Sequence, residues 1–271
     1  MPDRHIVTAA AALLLATLHP ATPVDAGASD WSTDHASRAR LVAGPVEADG
    51  ARWAGVEIVM DGGYKTYWRT PGDSGIPPEL DWSASTNVAG IEVEWPAPER
   101  FEDAFGAYFG YLEHVVWPVR VIPEDPDAPV VLALDLLYGV CKDICIPAQG
   151  SATLDLPAEP IASDPTVVRA REAVPVAVAP GEAHEGLAVH GVEPRDAHTL
   201  AVRVEAPAGA RLFAEGPDHS WFLAPAAEMG PDGTFAVEIA HAPRDAHGPL
   251  PVRLTLVADG AAIETLVEVE R

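Results

Sequence analysis

The chain has 271 residues, 48% of them hydrophobic, which is ample for buried cores and for one large domain or two ordinary ones. Its formal net charge of -24, spread along the chain without long runs, excludes nucleic acid and anionic lipid surfaces as partners, because both reward clustered Lys and Arg. Two cysteines, three methionines and ten histidines bound the redox and metal chemistry the chain can carry.

The N-terminus has the layout of a secretory signal: Arg4 and His5, an apolar run from Ile6 to Leu18, then small residues around Ala26. Thirteen apolar residues are short for a bilayer span of about 20. Residues 1–28 are therefore expected to be a signal peptide, with the mature protein outside the cytoplasm. An even number of cysteines in an oxidising compartment favours a disulfide over free thiols.

From Ala36 onward apolar residues recur at period two, in Val56-Ile58-Met60, Ile91-Val93-Trp95, Val115 to Ile122 and Val130 to Leu136. Such runs, divided by Gly and Pro clusters, predict an all-β antiparallel sandwich over residues 29–156. Two stretches are read as loops covering something, because they crowd aromatics among Gly and Pro. They are Gly62 to Pro78, with Tyr64, Tyr67 and Trp68, and Trp95 to Tyr111, with Phe101, Phe105 and Tyr108. Residues 157–183 read as a linker with a short helix starting at Ser163-Asp164-Pro165. Alternation resumes in Leu200-Val202-Val204, Phe235-Val237-Ile239, Val252-Leu254-Leu256 and Ile263 to Val269, predicting a second, smaller β-sandwich over 184–271.

Cys141 and Cys145 are the only cysteines. Residues four apart on an extended chain lie about 13 Å apart at Cα, whereas a disulfide needs roughly 4.4–6.8 Å. The pair can bond only if Lys142-Asp143-Ile144 form a tight turn. The runs on either side place that turn at a hairpin. As a structural staple, a five-residue loop contributes only about 2 kcal/mol, which a sandwich of this size hardly needs. Two sulfurs on one turn also suit reversible exchange with an incoming dithiol. Spacing alone supports exchange and stapling about equally. Lys142 favours a thiolate and Asp143 opposes it. Two thiolates with a histidine would also suit Cu(I) or zinc, but the histidines are scattered singly, only His114 lies in the central loops of this domain, and no Met-rich copper motif is present.

Three segments carry a resemblance: Gly63-Tyr64-Lys65-Thr66-Tyr67-Trp68-Arg69 with Pro71-Gly72-Asp73-Ser74-Gly75; Trp95-Pro96-Ala97-Pro98-Glu99-Arg100-Phe101; and Tyr138-Gly139-Val140-Cys141-Lys142-Asp143-Ile144-Cys145-Ile146-Pro147. Residues from about Trp31 to Leu156 resemble the N-terminal periplasmic domain of the disulfide reductase DsbD, and more closely its relatives in the ScsB-like group and stand-alone thiol:disulfide interchange proteins. The resemblance implies an immunoglobulin-like sandwich in which Cys141 and Cys145 form a redox-active disulfide needing no other cofactor. It implies electrons arriving from a membrane thiol transporter of the DsbD/CcdA type or a thioredoxin-like protein. They would pass to oxidised periplasmic proteins, in cytochrome c maturation or copper tolerance. It further implies a cap loop, Phe101 to Gly106, with Phe105 shielding the pair, and a lining of Phe101, Tyr64, Tyr67 and Tyr138. By analogy, Cys145 is the exposed cysteine. The chain departs from DsbD in having only three residues between its cysteines. A binding or assembly module with a structural disulfide, or a Cu(I)-binding protein, are the competing readings.

Overall fold

The computed structural model describes residues 27–72, 75–103, 106–244 and 247–270. Of the expected signal peptide, residues 1–26 lie outside the described residues. Gly27 accepts from the Ala43 amide at 2.7 Å, and Ala28 bridges Val42.

The first domain is made of β1 (Ser32–Asp34), β2 (Ser37–Val46), β3 (Arg52–Met60), β4 (Lys65–Gly72), β5 (Glu79–Asp81), β6 (Gly90–Val93), β7 (Glu99–Asp103), β8 (Gly106–Leu112), β9 (His114–Ile122), β10 (Val130–Cys141) and β11 (Cys145–Leu156). They form two sheets. One runs β1-β2-β3-β9-β6; the other runs β11-β10-β4-β8-β7, with β5 also on β10. Leu41, Val56, Ile58, Trp117 and Val119 of the first sheet meet Trp68, Phe109, Leu132, Leu134 and Tyr138 of the second in one core. The fold is an immunoglobulin-like β-sandwich: the alternation predicted the sandwich and the resemblance its immunoglobulin-like form.

The segments read as aromatic loops are largely strands. The first contains β4, the second β7 and β8. Neither β4 nor β8 shows alternation in the sequence because each lies inside its sheet with both faces covered. In β4, Thr66, Tyr67 and Trp68 are all buried, and a strand buried on two faces reads as a continuous apolar run.

After β11 comes α1 (Pro165–Glu172), whose N-cap Asp164 accepts from the Thr166 amide at 2.8 Å, with proline at the first turn. This helix is docked. Val167 is fully buried among Val42, Trp53 and Val116 on the outer face of the five-stranded sheet. A Cβ on Gly44 or Gly55 would come within 2.9 or 3.1 Å of the Val167 side chain, so both glycines make room for it.

The second domain has β12 (Val176–Ala177), β13 (Ala188–Pro194), β14 (Thr199–Glu205), β15 (Arg211–Glu215), β16 (Phe222–Pro225), β17 (Thr234–His241), β18 (Leu250–Ala258) and β19 (Ala261–Val269). These form two four-stranded sheets, β12-β19-β18-β15 and β13-β14-β17-β16, around a separate core that includes Val202, Phe235, Leu254 and Ile263. β12 lies within the stretch read as linker, yet pairs in parallel with β19.

The domains are joined through β4 and β8. Phe213 of β15 enters the first core and meets Phe109 and Trp68 edge-on, at ring distances of 5.0 and 5.8 Å. Beside it, the Arg69 guanidinium donates to Glu215 and Glu264, and Thr70 Oγ1 donates to Glu215 at 2.6 Å. Burial alone would lower the Arg69 pKa. Its bonds to Glu215 and the charges of Glu215 and Glu264 outweigh that and hold it above its ordinary value.

Candidate functional site: a disulfide on the outer face of a sheet

The β10–β11 hairpin pairs residue by residue from Val130↔Leu156 to its last pair, Cys141↔Cys145. Lys142, Asp143 and Ile144 form the turn, and the cysteine Cα atoms lie 4.2 Å apart and are joined by a disulfide. The two sulfurs differ in access. Cys141 is 4% exposed, whereas Cys145 lies in an exposed run with Ile144 (75%) and Ile146 (38%).

Alternation along β10 sends Tyr138 and Val140 into the sandwich core and Cys141 to the opposite face. There Cys141 packs with Tyr67 and Tyr108, flanked by Ile76 and Phe101. The Tyr67 hydroxyl lies 2.8 Å from Cys145 Sγ and 3.0 Å from Cys141 Sγ. Sulfurs joined in a disulfide carry no proton, so the hydroxyl is the donor. Two glycines fix that ring: a Cβ on Gly139 would stand 2.7 Å from it, and one on Gly75, 2.8 Å. Phe101 and Tyr108 face each other across the β7–β8 hairpin and stack at 5.4 Å, and Tyr108 meets Tyr67 edge-on at 6.0 Å. Aromatics thus run from the β7–β8 hairpin to the sulfurs.

Of the residues expected at the site, Tyr67 and Phe101 are brought to Cys141 and Cys145. Tyr64 stands at the rim, its ring 5.3 Å from Lys142 Nζ. Tyr138 is not brought there. It is fully buried on the core side of β10, where its hydroxyl bonds Ser37 Oγ at 2.7 Å and burial pushes its pKa up. Adjacent strand residues point to opposite faces, so a position three before Cys141 cannot share its face. Phe105 lies outside the described residues. The described residues of the segment expected as a cap loop, Phe101, Glu102, Asp103 and Gly106, lie on the paired strands β7 and β8.

Sequence reasoning missed Tyr108 and Lys65. Lys65 is the Cα partner of Cys141 across the β4–β10 ladder. Its Nζ donates to Tyr108 Oη at 3.0 Å and lies 5.1 Å from the Phe101 ring. A signal for Lys65 was present: the chain contains two lysines, Lys65 and Lys142.

Larger concavities lie elsewhere, among them one of about 590 Å³ beside Glu79, Asp81 and Asp135 and one of about 620 Å³ between the domains beside Arg69 and Trp221. Thiol exchange needs an accessible sulfur and a docking partner rather than an enclosed cavity. Among the described residues no group of three or more His, Cys, Asp or Glu is placed to hold a metal ion, and no helix is long and apolar enough to cross a membrane.

An immunoglobulin-like sandwich with a disulfide closing one hairpin defines a class, and comparison places the domain within it. Residues 37–157 match the family described as thiol:disulfide interchange protein DsbD, N-terminal. This domain belongs to that family. The solved N-terminal periplasmic domain of ScsB from Proteus mirabilis aligns with a TM-score of 0.65 at 22% identity, over 90% of this chain and 99% of that one. The two-domain fold is therefore shared. Tandem immunoglobulin repeats of Dlar align over 88% of this chain and 99% of that one at 10% identity, with a TM-score of only 0.21. No curated protein matches the chain.

Proposed function

We propose that this protein is a periplasmic thiol–disulfide interchange protein. It takes two electrons from a membrane thiol transporter or a thioredoxin-like donor and passes them to oxidised periplasmic proteins. The observation that carries the reading is the unequal access of the two sulfurs in a DsbD N-terminal domain, with one hydroxyl serving both.

A donor thiolate attacks Cys145 Sγ. The Cys141–Cys145 bond breaks, its electron pair stays on Cys141 Sγ, and a mixed disulfide joins the donor to Cys145. Tyr67 donates a hydrogen bond to the departing Cys141 sulfur. The donor's second thiolate then attacks its own sulfur in the mixed disulfide and releases Cys145, leaving a dithiol here and a disulfide on the donor. Delivery to an oxidised substrate runs the same steps in reverse, with Cys145 attacking and Cys141 resolving. Ile144 and Ile146 offer apolar contact beside Cys145, the kind of exposed surface that marks a docking site. Phe105 is assigned the role of shield, and the site needs no cofactor beyond the disulfide.

Trapping tests the reading. Cys141→Ala leaves Cys145 without its resolving partner and is expected to accumulate disulfide-linked partners in periplasmic extracts, while Cys145→Ala accumulates few. If neither variant traps a partner, and a thioredoxin-like donor does not reduce the wild-type disulfide, the relay is wrong.

A further inference from the structure

The chain has fifteen arginines and two lysines, and both lysines stand at the disulfide. Lys65 faces Cys141 across the ladder, where directly opposite Cβ atoms are about 4.5–5.5 Å apart. It shares a face of β4 with Tyr67. Its ammonium does not extend away into water: it donates to Tyr108 Oη, 5.1 Å from the Phe101 ring and 5.5 Å from the Tyr108 ring. Lys142 follows Cys141 in the turn. Its Nζ donates to Gly62 O at 3.0 Å and lies over Tyr64. Among the described residues neither lysine forms an ion pair with a carboxylate, whereas several arginines do, as Arg40 with Glu57, Arg69 with Glu215 and Arg120 with Asp49. In a chain of net charge -24, one lysine opposite Cys141 in the ladder and one next to it in the turn, neither paired with a carboxylate among the described residues, set this sulfur apart.

We propose that Lys65 and Lys142 are electrostatic positioning residues that hold the Cys141 sulfur as a thiolate in the reduced protein. The inference rests on the exchange reading above, since it concerns the sulfur that leaves and resolves. A compact ammonium acts as a point charge, and a cation beside a thiol favours the thiolate. Lys65 acts from a half-buried position and Lys142 from an exposed one, where water screens it more. The other ionisable groups around Cys141 are Tyr67, Tyr108, Asp143 and Cys145, with Tyr64 and Glu113 at the rim and the Arg100–Glu102 ion pair behind Phe101. Of these, Asp143 and Glu113 oppose the effect. Stabilising the thiolate stabilises the dithiol form, so the lysines also make the disulfide more readily reduced.

The test is a pH titration of thiolate absorbance in the reduced full-length protein, together with its equilibrium against glutathione. Replacing Lys65 by methionine is expected to raise the Cys141 titration by about one pH unit and to favour the disulfide by up to about tenfold, or roughly 30 mV. Lys142→Met should move both in the same direction by less, and Lys65→Arg should restore most of the Lys65 effect. The titration needs no partner, so its outcome is separate from that of trapping. If Lys65→Met and Lys142→Met both leave the titration within about 0.2 unit of wild type, or lower it, the proposal is overturned whatever trapping shows. Should Lys65→Met fail to fold, Lys65→Gln and Lys142→Met carry the same test.

Discussion

The two sandwiches share an architecture and differ in what they place at their strand ends. The first ends its longest hairpin in a disulfide and covers one face of that hairpin with Tyr67, Tyr108 and Phe101. The second has no cysteine. Instead it sends Phe213 and Glu215, from one short strand, into the first. Both meet β4, whose Tyr67 reaches the sulfurs while Trp68, Arg69 and Thr70 reach the second domain. The comparison teaches that one domain carries the disulfide, and that the other packs from behind against the strand whose Tyr67 reaches it.

The comparison breaks most visibly at Arg69. Arg69→Met would leave Glu215, 8% exposed, without its cation, and Glu264 with Arg253 alone. Removing one partner of a buried pair costs about 3–5 kcal/mol. Denaturant unfolding should show that loss, and a single transition should separate into two as the domains uncouple. Adding Glu215→Gln should recover part of the loss; no recovery would mean that Arg69 acts through something other than this pair.

At the sulfurs the expected effect is smaller and chemical. Tyr67→Phe keeps the ring between Gly75 and Gly139 and removes only the hydroxyl that serves both sulfurs. Losing one hydrogen bond of about 1–1.5 kcal/mol should slow reduction by a dithiol roughly tenfold, while thermal stability changes little. An unchanged rate would remove Tyr67 from the mechanism.

The smallest effect separates the domains by their response to acid. In the first, a hydrogen bond from His114 lowers the Glu57 pKa; burial opposes this, and Arg40 adds to it. A carboxyl depressed on folding contributes stability that is full above its ordinary value of about 4.5 and is lost as pH falls through its lower folded value. Glu57→Gln should therefore destabilise the protein by about 1 kcal/mol at pH 7 and by less as pH drops below 4.5. In the second domain, the depressed carboxyls Asp196 and Asp218 are fully exposed. A destabilisation that stays constant with pH would show that Glu57 is not the acid-sensitive group.

How far the sequence alone could be read follows from where each residue lies. Val130 to Leu136 alternates because one face is core and the other is more open, so β10 was legible, as were β3, β9, β14, β17, β18 and β19. α1 was legible from Asp164-Pro165, because a cap and a first-turn proline act locally. β4, β7 and β8 were read as loops, since burial on both faces or a place at the sheet edge removes the alternation. Tyr138 was expected beside Cys141 because it is near in sequence, and strand geometry turns it away. β15, which joins the domains, is too short to announce itself.

The sequence by itself determined the cysteine pair, its three-residue turn, the β class and the acidic surface, all of which follow from residue types and near neighbours. Only the tertiary structure decided that Tyr67 reaches both sulfurs, that Cys141 is covered by Tyr67 and Tyr108, that Lys65 faces Cys141 across β4 and β10, and that Phe213 crosses between domains. The physical reason is range. A turn or a cap is fixed by residues a few places apart, whereas the contacts that give this disulfide its setting join strands far apart in the chain, and sheet order and register alone bring them together.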